Sequence, residues 1–207
     1  MKNTLPFVIT ISRQLGAGGA YIGQQLAKNL NVFYADREII SQAAQQLSVL
    51  KKDLESRDEK ILSFWQSFIR SYAMTPDTYV PPQIMPPSDR QLFKIESGII
   101  ARIAKEHSAV IIGRCGAYIL REHPNHISIF LHGDIPFRKG RIQNLYNVSE
   151  EVAGEMIVQN DKERALYHHT FTGTEWTDAR RYNVSIDTSK IGVDKSIEVI
   201  LKYLESI

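Results

Sequence analysis

Short apolar runs alternate with helical stripes of apolar residues along most of the chain. Five runs are short and apolar, which is typical of buried parallel strands. They cover residues 7–12, 32–34, 109–112, 127–131 and 182–186. Between them, apolar residues three or four positions apart predict helices. These cover residues 21–30, 36–50, 91–107, 134–146, 149–167 and 194–204. The alternation predicts an α/β fold: a three-layer parallel sheet with helices on both faces.

The stretch 75–89 interrupts this alternation. It holds five of the eight prolines of the chain. Because proline fixes φ and lacks an N–H donor, the stretch is predicted to be neither helix nor central strand. We expect an extended loop or a surface excursion there.

Length, charge and cysteine content narrow the class of protein. The 207 residues favour a single domain over 1–207, and a formal charge of +2 gives no basic field for non-specific nucleic-acid binding. A single cysteine, Cys115, excludes an internal disulfide and favours a reducing compartment. No apolar run is long enough for a membrane span, and the start does not resemble a secretory signal. We expect a cytoplasmic protein with a small-molecule partner; the oligomeric state stays open.

A glycine-rich loop lies between the first strand and the first helix. Glycines allow backbone N–H groups to turn inward around a phosphate, and the helix N-terminus adds partial positive charge. The candidate phosphate-binding residues are Gly16, Ala17, Gly18, Gly19, Ala20 and Tyr21. A plain tight turn with close strand–helix packing is the alternative.

The loop departs from the standard pattern Gly-x-x-x-x-Gly-Lys-Ser/Thr. Alignment on Gly18 puts Arg13 at the first glycine and Gly19 at the lysine, and neither Ser nor Thr follows. The cation for the β- and γ-phosphates and the hydroxyl near Mg²⁺ are therefore missing from their usual places. Arg13 can supply the positive charge from the other end of the loop.

Other charged residues follow the predicted strands, where ligands of parallel sheets bind. Arg114, flanked by Gly113, is a candidate for bidentate binding of an acceptor phosphate, or caps helix carbonyls. Asp36 follows the second strand and suits a helix N-cap. Its neighbour Arg37 either contacts an acceptor phosphate or is solvated.

Four further cations lie on two predicted helices. Arg138 and Arg141 are three residues apart and share a face, and Lys162 and Arg164 lie on the next helix. Positioned arginines stabilise the charge that phosphoryl transfer spreads over the equatorial oxygens. We assign Lys162 and Arg164 to this catalytic role, and Arg138 and Arg141 to binding of the acceptor. Two ordinary charged helix faces are the alternative.

Several segments resemble the cytidylate kinase-like family of nucleoside monophosphate kinases. The opening is similar over residues 9–19, 22–23 and 33–40, although family members often carry Arg after the double glycine, where Ala20 stands here. Residues 111–116 resemble the family's Gly-Arg turn. The pattern Asp161-Lys162-x-Arg164-x-x-Tyr167 resembles its lid segment, and Trp176 and residues 182–188 match its C-terminal part.

The resemblance implies a P-loop nucleoside monophosphate kinase fold with an acceptor-binding insertion at 48–88 and a lid at 147–178. It implies ATP as donor, Mg²⁺, and CMP or a similar nucleotide as acceptor. It also places Asp36 near the acceptor or the attacking oxygen. Two other functions stay open: a nucleotide-binding sensor without useful catalysis, which the missing lysine favours, and a kinase for another small acceptor.

Overall fold

A five-stranded parallel sheet forms the centre of the computed structural model, which describes residues 6–36, 40 and 90–207. The strands are β1 Val8–Arg13, β2 Phe33–Ala35, β3 Ala109–Ile112, β4 His126–His132 and β5 Val184–Asp187. Their order across the sheet is β2-β3-β1-β4-β5, and every neighbouring pair is parallel. The predicted strands lie within two residues of the observed ones, and the α/β class is confirmed.

Helices and short turns connect the strands. The helices are α1 Gly19–Leu30, α2 Arg90–Glu106, α3 Gly116–Ile119, α4 Ile135–Tyr146, α5 Glu150–Thr172, α6 Thr188–Ile191 and α7 Val193–Glu205, with a 3₁₀ turn at Ala179–Arg181. Asp134 and Ser149 cap α4 and α5, accepting hydrogen bonds from Phe137 N at 2.9 Å and Val152 N at 3.2 Å. Helix α5 continues past its predicted end at 167, to Gly173 in the left-handed conformation.

The strands bury both of their faces, because successive side chains point to opposite sides of the sheet. Ile9 and Ile11 of β1 pack with Ile22 of α1 and Ile200 of α7. Val8 of β1 belongs to the opposite cluster, which α2 supplies with three isoleucines. They are Ile99, Ile100 and Ile103. Helices thus cover both faces, as the three-layer prediction requires.

Helices α4 and α5 form a hairpin with a small core of its own. Ile142 of α4 packs there with Ala153 and Ile157 of α5. The fourth buried member is Leu15, which belongs to the glycine-rich loop and is 6% exposed. The loop is therefore packed into the hairpin as well as attached to the sheet.

Several predictions lie outside the described residues. They are the insertion at 48–88, the proline-rich stretch 75–89, Arg37, and the helix at 36–50 beyond Asp36 and Ile40. Within the described ranges, no helix combines the length and the apolar character needed to cross a membrane.

Candidate active site

The glycine-rich loop joins β1 to α1 with two residues in the left-handed region of φ. Gly16 has φ of 84° and Gly18 has φ of 82°, values that residues with a Cβ rarely adopt. Gly18 is the N-cap of α1; no side chain caps this helix in the described structure, and its first turn holds no acidic residue. The free amide groups and the positive end of the helix dipole therefore suit a bound anion.

The loop is packed too closely for larger residues. A Cβ built on Gly16 would lie 2.8 Å from the carbonyl oxygen of Arg138, and one on Gly18 would lie 2.5 Å from Cγ1 of Val193. Helices α4 and α7 thus bound the loop on two sides. Tyr21 of α1 donates a hydrogen bond to Asp194 of α7 at 3.0 Å, next to Val193, which lies against Gly18. The packing around the loop therefore requires glycine at both positions.

Arg13 extends from the end of β1 across the loop. A Cβ built on Gly19 would lie 2.5 Å from Cγ of Arg13, and one built on Gly113 would collide with Nη1 of Arg13. The side chain therefore runs over the start of α1 to the turn that follows β3. Because Gly113 directly precedes Arg114, Arg13 bridges the loop and the turn that carries the candidate acceptor cation. Its role as the substitute for the lysine stays a prediction.

Arg114 is held in a buried polar cluster. Its Nη2 pairs with Oε1 of Glu96 at 3.1 Å, and its Nη1 donates to the hydroxyl of Tyr167 at 3.2 Å. That hydroxyl in turn donates to Oε2 of Glu96 at 3.3 Å. The side chains of Arg114 and Glu96 are 7% and 1% exposed. The cluster ties α2 and α5 to the turn after β3, and it sets the direction of the guanidinium.

The sequence prediction missed Glu96. The sequence pattern could have revealed it. Glu96 stands three positions before Ile99, on the face of α2 that packs on the core. A carboxylate in such a stripe is rarely buried without a cationic partner.

One polar face of helix α5 lies across the candidate site. Asp161, Arg164 and Tyr167 are spaced three apart, so they share this face. Asp161 Oδ1 accepts a hydrogen bond from Leu15 N at 2.9 Å, and Arg164 Nη1 donates to the carbonyl oxygen of Arg13 at 2.7 Å. Lys162 is exposed and lies off this face. The structure therefore brings Arg164 to the loop but not Lys162.

Arg138 and Arg141 of α4 lie beside the glycine-rich loop, and their predicted assignment to the acceptor stays a prediction. Arg138 is 4% exposed; its Nη1 pairs with Oδ2 of Asp161 at 2.6 Å and donates to the carbonyl oxygen of Leu15 at 3.2 Å. Arg141 Nη2 lies 3.6 Å from the position of a Cβ on Gly18. The two arginines share a face, as their spacing predicted, and that face packs on the glycine-rich loop.

Asp36 lies where the sequence placed it, directly after β2 at the carboxyl edge of the sheet. Its carbonyl oxygen accepts a hydrogen bond from Ile40 N at 3.0 Å, as the start of a helix requires. Because β2 neighbours β3, Asp36 and Arg114 follow adjacent strands. The predicted role of Asp36 near the acceptor stays a prediction.

The described residues do not present a Mg²⁺ site formed by the protein alone. Within 6–36, 40 and 90–207, no three His, Cys, Asp or Glu side chains are grouped so that they could hold a metal ion. Ala20 and Tyr21 stand where a standard loop has Ser or Thr. Mg²⁺ is commonly held through one or two carboxylates, substrate phosphates and water.

Cys115 is expected to resist alkylation in the folded protein. It is buried beside Arg114, and burial raises the pKa of its thiol to about 12. The thiolate fraction at pH 8 is then lower by about 10³-fold than for an exposed cysteine. Intact-mass spectrometry after iodoacetamide treatment at pH 8 should show little modification of native protein and full modification in 6 M guanidinium chloride. Equal rates in both would contradict the buried placement.

Comparisons with known proteins agree with this geometry. The sequence model of the cytidylate kinase-like family matches residues 8–190. A cytidylate kinase of Sulfurisphaera tokodaii is 22% identical over 205 residues, which cover 95% of this chain and 94% of that protein. A cytidylate kinase of Saccharolobus islandicus is 25% identical over 113 residues, which cover 55% of this chain and 59% of that protein.

Solved structures show the same fold. An uncharacterized protein from Eubacterium ventriosum superposes with a TM-score of 0.73 at 26% identity, covering 97% of this chain and 99% of that one. A shikimate kinase from Bacteroides thetaiotaomicron superposes with a TM-score of 0.51 at 13% identity, covering 96% and 98%. The fold is that of P-loop kinases, and the family match includes the glycine loop, Arg114 and the polar face of α5. This chain belongs to the cytidylate kinase-like family.

Proposed function

We propose that this protein transfers the γ-phosphoryl group of ATP to a nucleoside monophosphate, with CMP or dCMP as the preferred acceptor. The observation that carries the proposal is the course of Arg13, from the phosphate loop to the turn that holds Arg114. A single cation thus lies between the candidate donor site and the candidate acceptor site. Family membership supports nucleotide kinase-type phosphotransfer, and the cytidylate kinase relatives suggest the acceptor.

The donor phosphates are assigned to the loop and to α1. Backbone N–H groups within Gly16 to Tyr21 would bind the polyphosphate, as the N-terminus of a helix does for anions elsewhere, although the N–H of Ala17 donates to the carbonyl oxygen of Gln14 at 3.2 Å. Arg141, whose guanidinium lies beside Gly18, adds a positive charge at the donor side. Mg²⁺ is expected to be held mainly by the nucleotide oxygens.

The transfer step is assigned to the arginines between the two sites. An oxygen of the acceptor phosphate attacks the γ-phosphorus, and the bond from that phosphorus to the β–γ bridging oxygen breaks, which leaves ADP. Negative charge spreads over the equatorial oxygens in the transition state. Arg13 stabilises this charge directly, and Arg164, bonded to the carbonyl oxygen of Arg13, stands beside it.

Acceptor binding is assigned to Arg114, with Asp36 and Arg37 contributing after β2. The buried carboxylate of Glu96 fixes the orientation of the Arg114 guanidinium before a substrate arrives. Preorganised cations of this kind avoid reorganisation during the reaction. The predicted contribution of Lys162, whose side chain is exposed, stays a prediction.

A coupled assay for ADP production tests the proposal. Purified protein receives Mg-ATP with CMP, dCMP, UMP, AMP or GMP, and Arg121→Ala serves as the control because Arg121 is an exposed surface arginine. We expect turnover with CMP or dCMP at least tenfold above that with the purines, unchanged in the control. ADP binding by calorimetry without turnover on any acceptor would contradict the proposal and favour a nucleotide sensor.

A further inference from the structure

The α4–α5 hairpin bonds three backbone groups at the phosphate loop. Arg164 binds the carbonyl oxygen of Arg13, Asp161 accepts from Leu15 N, and Arg138 donates to the carbonyl oxygen of Leu15. The hairpin therefore contacts the loop on both sides of Gln14. A standard loop instead carries its own lysine to the phosphates.

Arg138 and Asp161 act together in this contact. Their ion pair is 2.6 Å long, and the two side chains are 4% and 18% exposed. Each partner also bonds Leu15, whose side chain is buried in the core of the hairpin. Moving α5 relative to α4 would thus break the pair and release the Leu15 N–H, which bonds Asp161, while the bond from Arg138 to the Leu15 carbonyl oxygen remains.

The backbone of Gly16 makes the arrangement stiff. Its left-handed φ brings it so close to α4 that a Cβ would lie 2.8 Å from the carbonyl oxygen of Arg138. Arg138 therefore contacts the loop in two ways: its side chain bonds Leu15, and its backbone lies against Gly16. The loop conformation that turns the N–H groups inward therefore depends on the positions of α4 and α5.

We propose that the Arg138–Asp161 pair positions the phosphate loop, so that affinity for the donor nucleotide depends on the closed α4–α5 hairpin. The inference rests on the proposed function in one respect, the assignment of ATP to this loop. Arg138 and Asp161 are positioning residues, because they act on the phosphates through the backbone of Leu15 and Gly16. A purely structural pair that only holds the hairpin together is the competing explanation.

Three variants separate the two explanations: Arg138→Met, Asp161→Leu and the double variant. Each single change leaves one buried charge without its partner and should lower both the melting temperature and ADP affinity. The double change removes both charges, which typically restores part of the stability. A positioning pair predicts that the double variant regains part of its Tm while its Kd for ADP stays about tenfold weaker than that of wild type.

The matched control is Lys139→Met with Glu150→Gln. This pair also joins α4 to α5, at 3.4 Å, but is more exposed and is not bonded to the loop in the described structure. We expect its Kd for ADP to stay within twofold of wild type. Hydrogen exchange without nucleotide gives a second readout: the Leu15 amide should exchange faster in the double variant and not in the control.

The outcomes distinguish this inference from the proposed function. Calorimetry with ADP needs no acceptor, so a lack of turnover would leave the test intact. A double variant whose Kd recovers together with its Tm, or whose Leu15 amide stays protected, would overturn the positioning role alone. Wild-type protein that does not bind ADP would overturn both the proposed donor site and its dependence on the hairpin.

Discussion

Arg13→Ala is expected to lower kcat/KM for phosphoryl transfer by about 10²–10³-fold, the usual effect of removing one preorganised donor from a transition state. The side chain crosses Gly19 and reaches the turn at Gly113, between the two candidate phosphate sites. In the transition state the transferring group carries its negative charge on the equatorial oxygens, which the proposed function places beside Arg13. We therefore expect kcat to fall more than ADP affinity does. Steady-state kinetics with ATP and CMP, together with calorimetry of ADP, measure the two effects.

Arg13→Lys separates charge from geometry. Lysine keeps the positive charge but lacks the planar fork with which a guanidinium bonds two phosphate groups at once. Compared with Arg13→Ala, we expect Arg13→Lys to restore part of kcat, but less of the selectivity that depends on bonding both phosphates. Arg121→Ala is again the control for general effects of losing an arginine. If Arg13→Ala kept its kcat within threefold of wild type, the cation for transfer would have to be another residue.

The fold was predictable because its strands are buried on both faces. Such strands are continuous apolar runs, and β3, with the sequence Ala-Val-Ile-Ile, was predicted with its observed bounds. The four-residue helices α3 and α6 were not predicted, since each is barely one turn long and shows no apolar period. Their positions depend on the turns that precede them.

The geometry of the candidate site was predictable for residues that are close together in the sequence. A strand, a glycine-rich loop and a helix in succession place Gly16, Gly18 and Arg13 together without knowledge of the rest of the fold. The contacts of Asp161 with Leu15 join residues 146 positions apart, so they depend on how α5 packs. Helical spacing showed that Arg138 and Arg141 share a face, but spacing does not say which element that face meets.

One face of α5 connects the otherwise separate parts of the site. Asp161 contacts the loop, Arg164 contacts the end of β1, and Tyr167 contacts Arg114 after β3. These contacts lie on two successive turns of a 23-residue helix. A shift of α5 would therefore change the glycine-rich loop and the turn after β3 together.

Glu96→Gln is expected to lower the free energy of unfolding by about 3–5 kcal/mol, because it takes the carboxylate away from a buried guanidinium. Arg114 is 7% exposed and Glu96 is 1% exposed, so water cannot solvate the Arg114 guanidinium in place of the lost carboxylate. Gln keeps the shape of the side chain, which limits the effect to charge and hydrogen bonding. Urea denaturation followed by circular dichroism measures the change.

Glu106→Gln on the same helix is the matched control. Glu106 pairs with Arg102 at 2.9 Å, but the two side chains are 35% and 28% exposed, so we expect a change of about 0.5 kcal/mol or less. Because Glu96 also directs Arg114, Glu96→Gln should raise KM for the acceptor more than KM for ATP, which a loss of stability alone would not do. An unfolding free energy within about 1 kcal/mol of wild type would show that Arg114 does not depend on this carboxylate.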